Sequence, residues 1–90
     1  MALKYRELER VVRGFSNHRR IQLLEYLAEN PELSVAEVAR QLKVHFKTVA
    51  AHMQRLAHAG LIMKRNDANA VRHRITTRGL SILKFLRTLA

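Results

Sequence analysis

Five residues in the stretch VHFKTVAAHMQRLAHAGLI, positions 44–62, share one side at helical spacing: Lys47, Ala50, Ala51, Gln54 and His58. Together they offer a cation, two methyls, an amide and an imidazole, and no carboxylate. A core-facing helix carries an apolar stripe and an ordinary solvent face mixes acids with bases; this side does neither. Hydrogen-bond donors beside small side chains, with no acid among them, suit close contact with something negatively charged.

The charge of the whole chain points the same way. Its 90 residues carry 17 Lys+Arg against 7 Asp+Glu, a formal net charge of +10. Residues 1–37 hold six bases and six acids, whereas residues 38–90 hold eleven bases and a single acid, Asp67. The excess therefore lies in the part that contains the unusual helix. A polyanion partner explains it most economically, nucleic acid first and an anionic membrane surface second. The alternative is a basic protein with no such partner.

The elements that must position this face follow from periodicity and caps. Leu8, Val11, Val12 and Phe15 form an amphipathic stripe over residues 4–15, with Gly14 weakening the end of the helix. Ser16 or Asn17 caps a second helix whose inner side is Ile21, Leu24, Leu27 and Ala28, and which stops before Pro31. Ser34 and Glu37 in SVAE make a capping box for a short helix burying Val35, Val38, Ala39 and Leu42. The quoted helix then places Val49, Met53 and Leu56 inward and ends at Gly60 in a left-handed C-cap. IMKR and VRHRIT read as two short strands around NDANA, whose Asn and Asp accept positive φ. Val71, His73 and Ile75 point to one side of the second strand, and Arg72, Arg74 and Thr76 to the other. Thr77 caps a last helix carrying Leu80, Ile82, Leu83, Phe85, Leu86 and Leu89. The order is helix, helix, helix, helix, hairpin, helix. This is the layout of a mainly α winged helix-turn-helix with a two-stranded β wing, a single domain over 1–90.

The run FSNHRRIQLLEYLAENPELSVAEVARQLKVHFKTVAAHMQRLAHAGLIMKR resembles ArsR-type winged helices over about residues 15–76. Its most specific pieces are HRRIQLLEYL, SVAEVARQL and TVAAHMQRLAHAGLI, while ITTRGLSIL is more like the end of MarR-type members. The resemblance, ArsR/MarR-like, implies a helix-turn-helix over about 34–59 and a wing over about 62–76. It implies a recognition helix in the DNA major groove, the wing on the backbone or minor groove, and a dimer on a pseudo-palindromic operator, mostly as a repressor. Lys43 and His45 depart from the glycine and serine common in the turn.

On that reading the odd helix face acquires a use. A helix of about 14 residues is roughly 21 Å long, a fit for the major groove. Lys47 and Gln54 donate to base edges or phosphates, and Ala50 and Ala51 allow close approach and touch thymine methyls. His45 and Thr48 stand with Phe46 at the helix start, where the ring either packs on the nucleic acid or folds back on the core. Arg55 and His58 lie toward the flank, where phosphate contact is expected. In the wing, Lys64, Arg65, Arg72 and Arg74 suit a phosphate or minor-groove clamp; the competing account is an edge strand protected by charge.

Other chemistry is thinly supported. There are no cysteines, and none of the five histidines has an i, i+4 histidine partner, so no metal and no cofactor is expected. The positions where metal-sensing relatives of the family carry cysteines match Ser34 and Ala36. His52, beside Val49, Met53 and Leu56, reads as a partly buried, hydrogen-bonded histidine. Ser34 is used as a cap, Glu25 and Glu29 are spaced as helix-surface acids, and no Gly-rich phosphate loop exists, so an enzyme is not expected. There is no run of 18 apolar residues and the N-terminus lacks the apolar middle of a secretory signal; the expected location is the cytoplasm.

The flanking helices, 3–15 and 78–89, carry more apolar surface than a helix-turn-helix needs. Leu8, Val11, Val12, Leu83, Leu86 and Leu89 are the expected homodimer contacts; the alternative is a monomer whose two end helices pack on each other. Two functions remain: a sequence-specific transcription regulator on double-stranded DNA, or a non-specific nucleic-acid-binding or protein-interaction module of a larger assembly.

Overall fold

The computed structural model describes residues 2–90. Its elements are α1 (Tyr5–Phe15), α2 (His18–Glu29), β1 (Leu33–Ser34), α3 (Val35–Leu42), α4 (Phe46–His58), β2 (Ile62–Asp67), β3 (Ala70–Ile75) and α5 (Thr77–Arg87).

The caps explain most boundaries. Asn17 Oδ1 accepts from the Arg19 and Arg20 backbone N–H groups and so starts α2. The Ser34–Glu37 capping box is complete, each side chain bonded to the other's backbone N–H. The last helix starts one residue earlier than expected: Thr76, not Thr77, is its cap, accepting from Gly79 N–H. Its hydroxyl also donates to Gly60 O at 2.7 Å, which ties α5 to the end of α4. Helix α4 ends in a Schellman turn, with Gly60 at φ 76° and backbone bonds Gly60 N–H to Ala57 O and Leu61 N–H to Leu56 O.

The turn between α3 and α4 accommodates both unusual residues. Lys43 takes the left-handed conformation at φ 56°, and Val44 N–H bonds back to Ala39 O. His45 does the work of a serine cap, its Nδ1 accepting from Lys47 N–H at 3.2 Å.

The sheet has three strands rather than two, in the order β1-β3-β2 and antiparallel throughout. Leu33 and Ser34 pair with His73 and Arg72, so the segment entering α3 seals the free edge of the wing. Glu32, at φ 68°, turns the chain into this strand and donates its N–H to His73 O. At the hairpin tip Asn66 and Asp67 remain in the strand, and Ala68, not Asn or Asp, takes positive φ, at 44°.

One core unites the elements. Leu24, Leu27, Val38, Val49, Met53, Leu56 and Leu61 are fully buried, and Phe15, Leu23, Ala39, Ala59 and Ile62 join them. Each fully buried Leu, Val or Met side chain contributes about 1.5–3 kcal/mol by leaving water. Leu23 replaces the expected Ile21 and Ala28 as a principal inward residue of α2; those two are half-buried.

Gly14 marks where α1 crosses α4. A Cβ there would overlap the Cβ of Ala59, so glycine sets the approach of the two helices. Alanine at a helical glycine ordinarily adds up to about 1 kcal/mol, but overpacking costs about 1–3 kcal/mol. Gly14→Ala is therefore expected to lower the urea midpoint, and an unchanged or higher midpoint would show that α1 moves off α4 without cost.

Candidate nucleic-acid interface

The capped turn delivers α4 with Val49, Met53 and Leu56 buried beneath it and its opposite side open. His45, Lys47, Thr48, Ala51, Gln54, Arg55 and His58 are exposed, and Ala50 is half-buried. Phe46 is 52% exposed, so of its two expected placements the outward one is found. The carboxylate-free face is thus held rigidly by a helix whose other side is the core. Ala51, Gln54, Arg55 and His58 line one open surface recess on it.

The wing divides its four bases differently from the sequence expectation. The register pairs Lys64 with His73, Arg65 with Arg72 and Met63 with Arg74. Residues opposite one another share a sheet face and alternate along each strand, so Lys64 lies on the face of His73 and Val71. There it lines a second recess of about 320 Å³ with Val35, Ala50, Met53, Gln54, Val71 and His73. Arg65, Arg72 and Arg74 are on the other face, and two of the three are already paired. Arg65 donates twice to Glu32 Oε2, at 2.7 and 3.0 Å. Arg72 donates to Asp67 Oδ2, Glu37 Oε1 and the Glu32 carbonyl, at 3.1, 3.0 and 3.0 Å. The four bases of the expected clamp therefore differ in their partners: Lys64 and Arg74 have no acidic partner among the described residues, while Arg65 and Arg72 fasten the wing to β1 and the start of α3.

These contacts set the carboxylates. The Arg65 hydrogen bond holds Glu32 below the usual carboxylate range, and the Ser34 cap, followed by Arg72, does so for Glu37. A depressed carboxylate contributes stability above its unfolded value and loses it as pH falls through its folded one, so the wing anchors are intact at neutral pH and fail only in acid below about 4.5.

The histidines respond in a different window. His73 is 3% exposed, its Nδ1 3.3 Å from Leu33 O, and burial lowers its pKa despite that bond. His52 is lowered by burial and then by Arg20 and Arg55, and its buried Nδ1 has no hydrogen-bond partner among the described residues, unlike the hydrogen-bonded histidine expected. A base with a depressed folded pKa binds its proton better when unfolded, so stability is whole above about 6.5 and declines as pH falls below it. Unfolding in urea is expected to show a lower midpoint at pH 5 than at pH 7, with a smaller difference in His73→Gln. Equal differences in the two proteins would remove His73 from the account.

A third open recess, of about 320 Å³, lies between α1 and α4 and is lined by Arg6, Glu9, Arg10, Arg13, Gly14, Arg55, His58 and Ala59. Among the described residues no group of three or more metal-ligating side chains converges and no helix is long and apolar enough to cross a membrane.

The expected dimer residues separate into two sets. Leu8 and Val12 are about half exposed and Leu89 is 67% exposed, whereas Val11 and Leu86 pack partly on the core. Leu83 is corrected: it is 3% exposed within the single chain, because α5 turns it inward, and it has no surface left for a second copy. The terminal helices do not chiefly cover each other, since α1 packs on α4 and α2 while α5 packs on α2 and β3.

Short helix, left-handed turn, exposed longer helix and antiparallel hairpin define a winged helix-turn-helix protein, of the ArsR/MarR-like kind that the sequence resembles. More particularly, the chain belongs to the HVO_A0114 family, whose model matches residues 16–84. It is 28% identical over 64 residues to the uncharacterized HTH-type transcriptional regulator MJ1325 of Methanocaldococcus jannaschii, covering 71% of this chain and 72% of the relative. It is similar in structure to the homodimeric winged helix-turn-helix DNA-binding domain of Mb0332 from Mycobacterium bovis, a possible ArsR-family transcriptional regulator. That match has TM-score 0.81 and 26% identity over 99% of this chain and 88% of that one. HlyU from Vibrio cholerae N16961 matches with TM-score 0.80 and 27% identity, over 99% of this chain and 97% of that one.

Proposed function

We propose that this protein is a sequence-reading transcriptional regulator of double-stranded DNA, a cytoplasmic homodimer that represses by occupying its operator. The observation that carries the reading is the exposed face of α4, where donors and methyls stand on a helix whose other side is buried, with no carboxylate among them. Lys47 and Gln54 read base edges in the major groove, Ala50 and Ala51 admit the DNA closely, and Arg55 and His58 meet phosphate. Lys64, across the recess from Gln54, and Arg74 supply the wing's contacts. No step requires a metal, a cofactor or catalysis.

Exposed Leu8 and Val12 on α1, Leu80 and Phe85 on α5 and Leu89 just beyond it support a homodimer through these helices. Mb0332 is described as homodimeric and DNA-binding, and MJ1325 as a transcriptional regulator, which agrees with this reading. The whole chain then acts as one domain: helix-turn-helix at 34–59, wing at 62–76, and flanking helices at 3–15 and 78–89.

The test is selection of bound duplexes from a random pool at about 0.15 M salt, where purely electrostatic binding is suppressed. An inverted repeat with half-sites about 10 base pairs apart is the expected result. No enriched motif, with binding that vanishes as salt rises, would replace the regulator by a non-specific nucleic-acid-binding module.

A further inference from the structure

The recess between α1 and α4 shares Arg55 and His58 with the interface described so far, but its α1 wall has had no part in it. Arg6, Arg10 and Arg13 stand at i, i+4 and i+7, a single stripe of α1. This stripe faces Arg55 and His58 of α4 across an open cleft of about 320 Å³ that ends at the Gly14–Ala59 crossing. The one acid in it, Glu9, is 3.9 Å from Arg13 and exposed. Arg6, Arg10 and Arg55 have no carboxylate within 4.0 Å among the described residues. Three arginines lining one open cleft, with a single acid that already lies beside Arg13, leave guanidinium donors available to an anion.

The position of the cleft indicates which anion. Arg55 and His58 belong both to it and to the recess formed with Ala51 and Gln54, so the two surfaces are continuous around α4. The first turns of α1 stand clear of the body, with residues 2–10 all exposed, which leaves the cleft open along its length. A small free anion would be poorly enclosed there, whereas a strand running past α4 would lie in it.

We propose that the cleft between α1 and α4 is a second DNA-backbone site, in which Arg6 and Arg10 of α1 and Arg55 of α4 hold phosphates on the side of the recognition helix opposite the wing. The proposal rests on the DNA-binding reading above and deepens it. Arginine forks bind phosphate oxygens in pairs, and Arg6 and Arg10 are about 6 Å apart along the helix axis. The recognition helix then sits between two backbone contacts, Lys64 and Arg74 on one side and the α1 arginines on the other, and its orientation in the groove is fixed from both.

The test compares the wild-type chain, Arg6→Gln/Arg10→Gln and the charge-matched control Lys84→Gln/Arg87→Gln on one duplex over a range of salt, with the oligomeric state followed by sedimentation. Each lost phosphate contact reduces the slope of log affinity against log salt by about 0.9. The α1 variant is expected to lose about 1–2 units of slope, and the control much less. Equal slopes for wild type and α1 variant, or equal losses in variant and control, would overturn the site. Failure of the wild type to bind any duplex would instead overturn the DNA-binding reading.

A second measurement does not depend on the variant's assembly. The chain has no cysteine, so Glu9→Cys gives one attachment point for iron–EDTA while leaving the arginines in place. Strand cleavage flanking the recognition-helix contact is expected. An intact complex with no cleavage there would overturn the proposal.

Discussion

Leu8→Glu combined with Phe85→Glu is expected to leave a folded protomer, abolish the dimer and lower affinity for a two-half-site operator by about 100-fold or more. Both side chains are about half exposed, at 46% and 54%, so the change within one chain is that of a surface substitution, within about 0.5 kcal/mol. In the dimer each carboxylate would be driven into an apolar contact without a partner, which association cannot accommodate. The loss of affinity follows from linkage: the second half-site is bound at high effective concentration only while the two protomers are joined, a gain of about 10²–10⁴. Sedimentation reports the assembly and a titration of operator duplex reports the affinity. The single variants show whether α1, α5 or both carry the contact. A double variant that still sediments as a dimer would move the interface away from these helices, and a monomeric wild type would remove it altogether.

Which features were legible in the sequence depended on how local their causes were. Helices α1 to α5 were legible because each has a stripe of its own and, for α2, α3 and α5, a polar cap within a residue of the expected one. The inward set of α4 and the left-handed Gly60 also have local causes. Strand β1 has none: it is two residues long and exists because β3, some forty positions away, offers an open edge. The wing's ion pairs were not legible for a related reason. Glu32 and Glu37 lie in the electrically neutral first part of the chain, and only the folded sheet brings them to Arg65 and Arg72. Lys64 was grouped with the arginines by proximity in sequence, although strand alternation alone puts it on the other face from Arg65. The stripe of Arg6, Arg10 and Arg13 was available as spacing, but a net count over residues 1–37 cancels it against glutamates elsewhere. Leu83 was read as surface because α5 is apolar nearly all round, and periodicity cannot then say which side faces inward.

Lys47→Ala and Gln54→Ala carry the other large expectation, a loss of discrimination rather than of binding. Both side chains are exposed on a helix whose Val49, Met53 and Leu56 are fixed in the core, so neither substitution disturbs the fold. A well-placed base contact is worth about 1–3 kcal/mol against the wrong base. Each single variant should therefore reduce the ratio of operator to random-DNA affinity by about 10- to 100-fold, with random-DNA affinity little changed for Gln54→Ala. Lys64→Ala should behave oppositely, weakening both duplexes alike and reducing the salt slope by about 0.9 if it holds one phosphate. Arg72→Ala separates the two accounts of the wing. Its guanidinium is committed to Asp67, Glu37 and the Glu32 carbonyl, so its removal should loosen the hairpin, seen as faster amide exchange in β1 and β3. A pair of titrations at several salt concentrations decides among these. If Gln54→Ala retained full discrimination while Arg72→Ala abolished the salt dependence, sequence reading would have to pass from α4 to the wing.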